Sequence, residues 1–96
     1  MEPIEVTQTQ RGFDIAKFTD RYGMECSLQK SSLATEAAIW FGVDDVKPQR
    51  CIPGMGWTPV EFPPDTLFSS RMHLTQDQVK QLLPFLQRFA ETGELV

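Results

Sequence analysis

Ninety-six residues, 41% of them hydrophobic, allow one small domain with one core, burying roughly 60–65% of the surface that the unfolded chain exposes. Nine Lys and Arg against thirteen Asp and Glu give a net charge of −4, and the cations are scattered from Arg11 to Arg88. No cationic stripe exists to release counterions from a phosphate backbone, which disfavours nucleic acid as a partner.

The opening residues, Met1-Glu2-Pro3-Ile4-Glu5, have neither the basic nor the apolar part of a secretory leader, and no apolar run approaches the ~20 residues of a spanning helix. The expected setting is the cytoplasm, away from membranes. Ile4 and Val6 alternate with Glu5 and Thr7 as in a short half-buried strand, and Gln8 to Gly12 reads as a polar turn. Phe13 and Ile15 continue that alternation, but Phe18 falls on the opposite parity. Either a bulge near Ala16-Lys17 restores one face, or the strand is buried on both.

Asp20-Arg21-Tyr22-Gly23 has the composition of a type I turn followed by a left-handed glycine, and it should close a hairpin. Met24, Cys26 and Leu28 then alternate with Glu25, Ser27 and Gln29, the cleanest half-buried strand in the chain, whose other face should be wet. Ser31 to Glu36 offers a capped helical turn at most. Ile39-Trp40-Phe41-Gly42-Val43 is apolar on both parities, which fits a central strand covered on each side, or a half-buried strand offering Trp40 to a partner.

Asp44 to Ser70 holds five of the seven prolines together with Gly54 and Gly56, a composition that forbids a regular element through most of the span. A loop of this length in a small domain is usually functional or disordered. Met55, Trp57, Val60, Phe62 and Leu67 make it too apolar for a plain linker, so it is expected to fold back on the sheet.

Met72 and Leu74 alternate with Arg71 and His73 in a last, edge-like strand, and Thr75 with Gln78 forms a helix-opening capping box. Val79, Leu82, Leu83, Leu86, Phe89 and Ala90 form one apolar stripe on the helix that follows, with a kink expected at Pro84 and a stop at Thr92-Gly93. Such a stripe should pack on the sheet, and a helix about 25 Å long would cross four or five strands. The predicted fold is α+β: an antiparallel sheet of four to five strands with one C-terminal amphipathic helix on one face, two layers in all.

His73 is the only histidine, so a multi-histidine metal site is excluded and a nucleophile–base pair would need Cys26 or Cys51 beside it. The two cysteines are read as reduced packing residues, and Asp44, Asp45, Glu61 and Asp65 as solvated loop acids that match no EF-hand. No cofactor is implied: Gly54-Met55-Gly56 lacks the strand, third glycine and helix of a dinucleotide fingerprint. Trp57, in its Gly/Pro loop, is either a lid on the sheet or an anchor for another surface; Phe85, about 40° beyond Phe89, flanks the stripe and is either core or rim.

The phrases Phe18-Thr19-Asp20-Arg21-Tyr22-Gly23, Cys26-Ser27-Leu28-Gln29, Ser31-Ser32-Leu33-Ala34, Ile39-Trp40-Phe41-Gly42, Arg71-Met72-His73-Leu74-Thr75 and Leu82-Leu83-Pro84 resemble a family of small tailed-phage and prophage proteins, over about two thirds of the chain. The family brings no known activity, so the resemblance implies a bacterial cytoplasm and lets no catalytic residue be carried over. The expected function is non-enzymatic: binding, to a host or defence protein, through a surface centred on the proline loop with Trp57 as anchor. The alternative is a homo-oligomer that sequesters a nucleotide-like ligand, with Arg50 or Arg71 on phosphate and Trp57 stacking. Edge pairing through Ile4–Val6 or Arg71–Leu74 would be one route to an oligomer.

Overall fold

The computed structural model describes residues 3–96. Strands β1 (Val6–Gln8), β2 (Asp14–Thr19), β3 (Glu25–Lys30), β4 (Ala38–Val43) and β7 (Arg71–Thr75) form a five-stranded antiparallel sheet in the order β1-β2-β3-β4-β7. Strands β5 (Gln49–Ile52) and β6 (Gly56–Pro59) pair apart from it as a two-stranded ribbon, and helix α1 (Gln76–Thr92) follows β7 without a loop. The class is α+β, with β1 and β7 as the outer strands.

The turn chemistry sets the first three strands. Asp20 Oδ1 accepts the amides of Tyr22 and Met24, each at 2.9 Å, and Gly23 takes the left-handed conformation at φ 82° that lets its N–H reach the Asp20 carbonyl. Thr9 closes the preceding turn in a similar way, its Oγ1 accepting the Phe13 amide at 3.1 Å.

The register from Ile15↔Gln29 to Thr19↔Glu25 is continuous, so β2 buries side chains on both faces and the alternative of a bulge falls away. One side of the sheet presents Ala16, Phe18, Cys26, Leu28, Ile39, Phe41, Met72 and Leu74, with the Phe18 and Phe41 rings 6.0 Å apart. The other side presents Lys17, Ser27, Gln29, Trp40, Arg71 and His73. This polar side is not wet throughout. Ser27 is wholly buried on it, the reverse of what alternation suggests, because neighbouring Asp44 and Arg71 side chains bond to its hydroxyl.

Three other expectations are corrected. Residues 31–37 form no helical turn, only a bend at 34–36; Ser31 Oγ accepts the Leu33 amide at 3.1 Å and so competes with the helical ladder. Most of the proline-rich span has no regular element, as expected, but it does contain the short β5–β6 hairpin, whose Pro48 and Pro59 sit at strand ends and Pro53 in the turn, where no ladder donor is needed. The span leaves Met55 and Trp57 exposed instead of folding them onto the sheet.

The third correction concerns the helix. Thr75 and Gln78 form the expected capping box and Gly93 the left-handed C-cap at φ 78°, and the helix runs from Gln76 to Thr92 through Pro84. Yet no helix residue is buried, and Leu82, Leu83, Leu86 and Phe89 are 43–57% exposed. The helix does not lie across its own sheet. Thr75 is at once the last residue of β7 and the N-cap, leaving none of the two to six loop residues that usually reverse a chain between strand and helix.

At Gly42 the backbone entering β7 comes close against β4. The glycine's φ is 148°, and a β-carbon built on it would stand 2.8 Å from the Ser70 carbonyl oxygen and 3.1 Å from the Arg71 Cα. Only glycine lets β7 seat against β4 there.

Candidate functional site

Strand pairing brings Trp40 directly opposite His73, and their rings stack in parallel, 3.9 Å between centroids and 6° between planes. The Arg71 guanidinium lies 5.6 Å from the centroid of the same indole and donates to Gln29 Oε1 at 2.7 Å. The same guanidinium nitrogen, Nη1, also reaches Ser27 Oγ at 3.4 Å, and the Ser27 hydroxyl in turn donates to Asp44 Oδ1. Beside this network Thr9, Gln10, Arg11, Phe13, Gln29 and Trp40 line an open recess of about 410 Å³, with the Arg11 guanidinium 5.5 Å from the Phe13 ring centroid. The result is an aromatic and cationic patch on an open sheet face.

His73 Nε2 and Ser31 Oγ are 2.9 Å apart, the separation of a nucleophile–base pair. Ser31, however, is only 5% exposed, and its oxygen already takes the Leu33 amide. The contact fixes the 31–37 bend against β7 and presents no reachable nucleophile.

The ribbon offers a different surface. Trp57 pairs with Cys51 and Arg50 with Thr58, so the indole and the guanidinium point to opposite faces of the ribbon. Trp57 is 70% exposed and Met55 at the turn 69%. Phe85 is 54% exposed on α1, close to Leu86 at 55% and Phe89 at 57% in the apolar stripe, so exposure does not set it apart from them.

The structure therefore divides the four residues singled out in the sequence. Trp57 and Arg50 share the ribbon on opposite faces, Arg71 belongs to the polar face of the large sheet, and Phe85 to the helix. The patch around Trp40 and His73 escapes a reading of the sequence because these residues are joined by a pairing that spans the whole proline-rich excursion. Their registration, Trp40↔His73, is the only signal that would have found them.

Cys26 and Cys51 are both free thiols. Burial pushes the Cys26 thiol up, with the negative charges of Asp20 and Asp44 adding to it. A disulfide-exchange reagent should accordingly modify exposed Cys51 promptly and Cys26 only as the protein opens, with Cys51→Ser removing the fast phase. Because the folded pKa is raised, the stability tied to the protonated thiol is complete below the unfolded-state value of about 8.5 and falls as pH rises past it. Urea melts at pH 7 and pH 10 should show that loss diminished in Cys26→Ala.

Among the described residues no three His, Cys, Asp or Glu side chains converge as a metal site would require. None of the described helices is long and apolar enough to cross a membrane. The Asp44 carboxylate has a structural duty, since its loss leaves the proton of the wholly buried Ser27 hydroxyl without an acceptor. Asp44→Ala should cost about 1–2 kcal/mol in chemical denaturation, and adding Ser27→Ala should recover part of it by removing that donor.

Comparison with protein-family models, with curated proteins and with solved structures finds no match.

Proposed function

We propose that the chain works by binding rather than by catalysis, as a small phage or prophage accessory protein that captures a host or defence-system protein in the bacterial cytoplasm. The observation that carries this reading is Trp57, 70% exposed on a two-stranded ribbon that stands apart from the sheet. A large, rigid, amphipathic side chain held in water is costly to the free protein and is the residue type most enriched among interface hot spots. Met55, at the turn of the same ribbon, extends the apolar contact with an adaptable side chain.

Trp57→Ala tests this directly, because an exposed ribbon residue can be truncated without touching the sheet. The thermal midpoint should move by no more than a few degrees, while capture of the partner from a bacterial lysate falls by tenfold or more. Undiminished capture by Trp57→Ala would refute the assignment.

A second reading, a nucleotide-like ligand sequestered by an oligomer, is favoured by Arg71 and Trp40 lying together on the polar face. The stacking residue would then be Trp40, since Trp57 belongs to the ribbon. Native mass spectrometry of gently purified protein would show a few hundred daltons of retained ligand, lost in Arg71→Ala.

A further inference from the structure

We propose that a second copy of this chain covers its apolar side, the helix of each copy lying across the apolar sheet face of the other. The chain by itself is too open for its mass. Its accessible surface is 8411 Å², against about 5,600 Å² for a folded monomer of its size. The radius of gyration is 16.6 Å, against about 12–13 Å for a compact domain of this length. Two copies together thus carry an excess of roughly 5,600 Å², the scale of obligate interfaces, which bury about 2,000–5,000 Å² or more.

The excess surface includes two complementary apolar elements. On the helix they are Leu82, Leu83, Leu86 and Phe89, all substantially exposed. On the sheet they are Leu28 and Met72, also exposed, with Phe18, Phe41 and Leu74 half-buried. The two meet at a corner, where Ile39, Leu74, Val79 and Leu83 line a notch of about 350 Å³, so helix and sheet present one continuous apolar surface bent at the β7–α1 junction. A bent surface of this kind is self-complementary: related by a two-fold axis, each helix enters the angle made by the other copy's helix and sheet.

Length and connectivity favour a second copy over any other occupant. A helix of 17 residues is about 25 Å long at ~1.5 Å per residue, enough to span five strands at ~4.8 Å spacing. The loopless junction at Thr75 keeps that helix from its own sheet, while a second copy brings a helix of the required length, stripe and polarity. The Trp40–His73 face is the side of the sheet away from the surface so covered and would be displayed twice; the arrangement rests on helix and sheet alone and so stands independently of the binding reading.

The test uses the full chain. Light scattering behind size exclusion at micromolar concentration should give twice the 10.9 kDa of the single chain. A mixed sample of isotopically labelled and unlabelled protein should then show isotope-filtered nuclear Overhauser contacts between the Leu83 and Leu86 methyls of one copy and the Phe18 and Phe41 rings of the other. A monomeric mass would overturn the proposal. So would a dimer lacking those contacts, as edge-to-edge pairing through β1 or β7 would give, or contacts found only within one copy.

Discussion

Leu86→Asp is expected to lower the midpoint of thermal unfolding by roughly 10 °C or more at micromolar protein, although Leu86 is 55% exposed in the single chain. A solvated surface residue changes stability by no more than about 0.5 kcal/mol. A leucine buried between two copies contributes about 2–3 kcal/mol, and each kcal/mol moves the midpoint of a domain this size by about 4–8 °C. The control is Arg88→Asp, on the opposite side of the helix, which should shift the midpoint by only a few degrees. Circular dichroism melts of the wild type should also rise with protein concentration, as linkage between folding and association requires. A concentration-independent midpoint with Leu86→Asp unchanged would mean that the stripe is simply solvated.

Gly42→Ala should be nearly as damaging, by a different route. The added carbon would meet the Ser70 carbonyl oxygen at 2.8 Å and the Arg71 Cα at 3.1 Å, on a residue already at φ 148°. Strain and overpacking of this kind cost about 1–3 kcal/mol each. Relief requires β7 to move away from β4, which would part Trp40 from His73 and carry the helix with it. Near-ultraviolet circular dichroism should therefore lose the signal of the stacked indole, together with a fall of about 10 °C in the thermal midpoint. A variant with an unaltered aromatic spectrum and midpoint would show that the strands can separate locally without cost.

The strands up to Val43 were legible because their signals are local. Asp20 and Gly23 dictate a turn within four residues, and alternation from Met24 to Gln29 dictates a strand. The helix caps were legible for the same reason, since Thr75, Gln78 and Gly93 each act within one turn. Where the helix goes was not legible. An apolar stripe states that burial is needed and is silent on which copy of the chain supplies it, and the loopless junction only gains meaning once the strand is known to end at Thr75.

The candidate site was harder still. Its members come from β3, β4 and β7, and the decisive neighbour pair, Trp40 and His73, is separated in sequence by the ribbon and all its prolines. Ser27 misled the alternation argument because a short hydroxyl can be buried on a polar face when a carboxylate and a guanidinium reach over it. Trp57 stood out as an aromatic residue in a Gly/Pro loop but its exposure was not legible, because the hairpin that carries it was hidden by Pro48, Pro53 and Pro59, which sit at its strand ends and in its turn.

The excursion between β4 and β7 begins and ends at one place. Asp44 donates its amide to the Glu25 carbonyl at 2.9 Å, Ser70 Oγ donates to the Val43 carbonyl at 2.6 Å, and Gly42 faces Arg71 across the ladder. The ends are thus clamped by the sheet whatever lies between them, and lengthening a loop whose ends are already held costs only about 0.6 kcal/mol per doubling. Such a position is a graft site. A foreign epitope or a longer hairpin spliced between Asp44 and Ser70 would inherit a rigid two-point mount, and if the chain pairs as argued, each insertion would be displayed in two copies at a fixed separation.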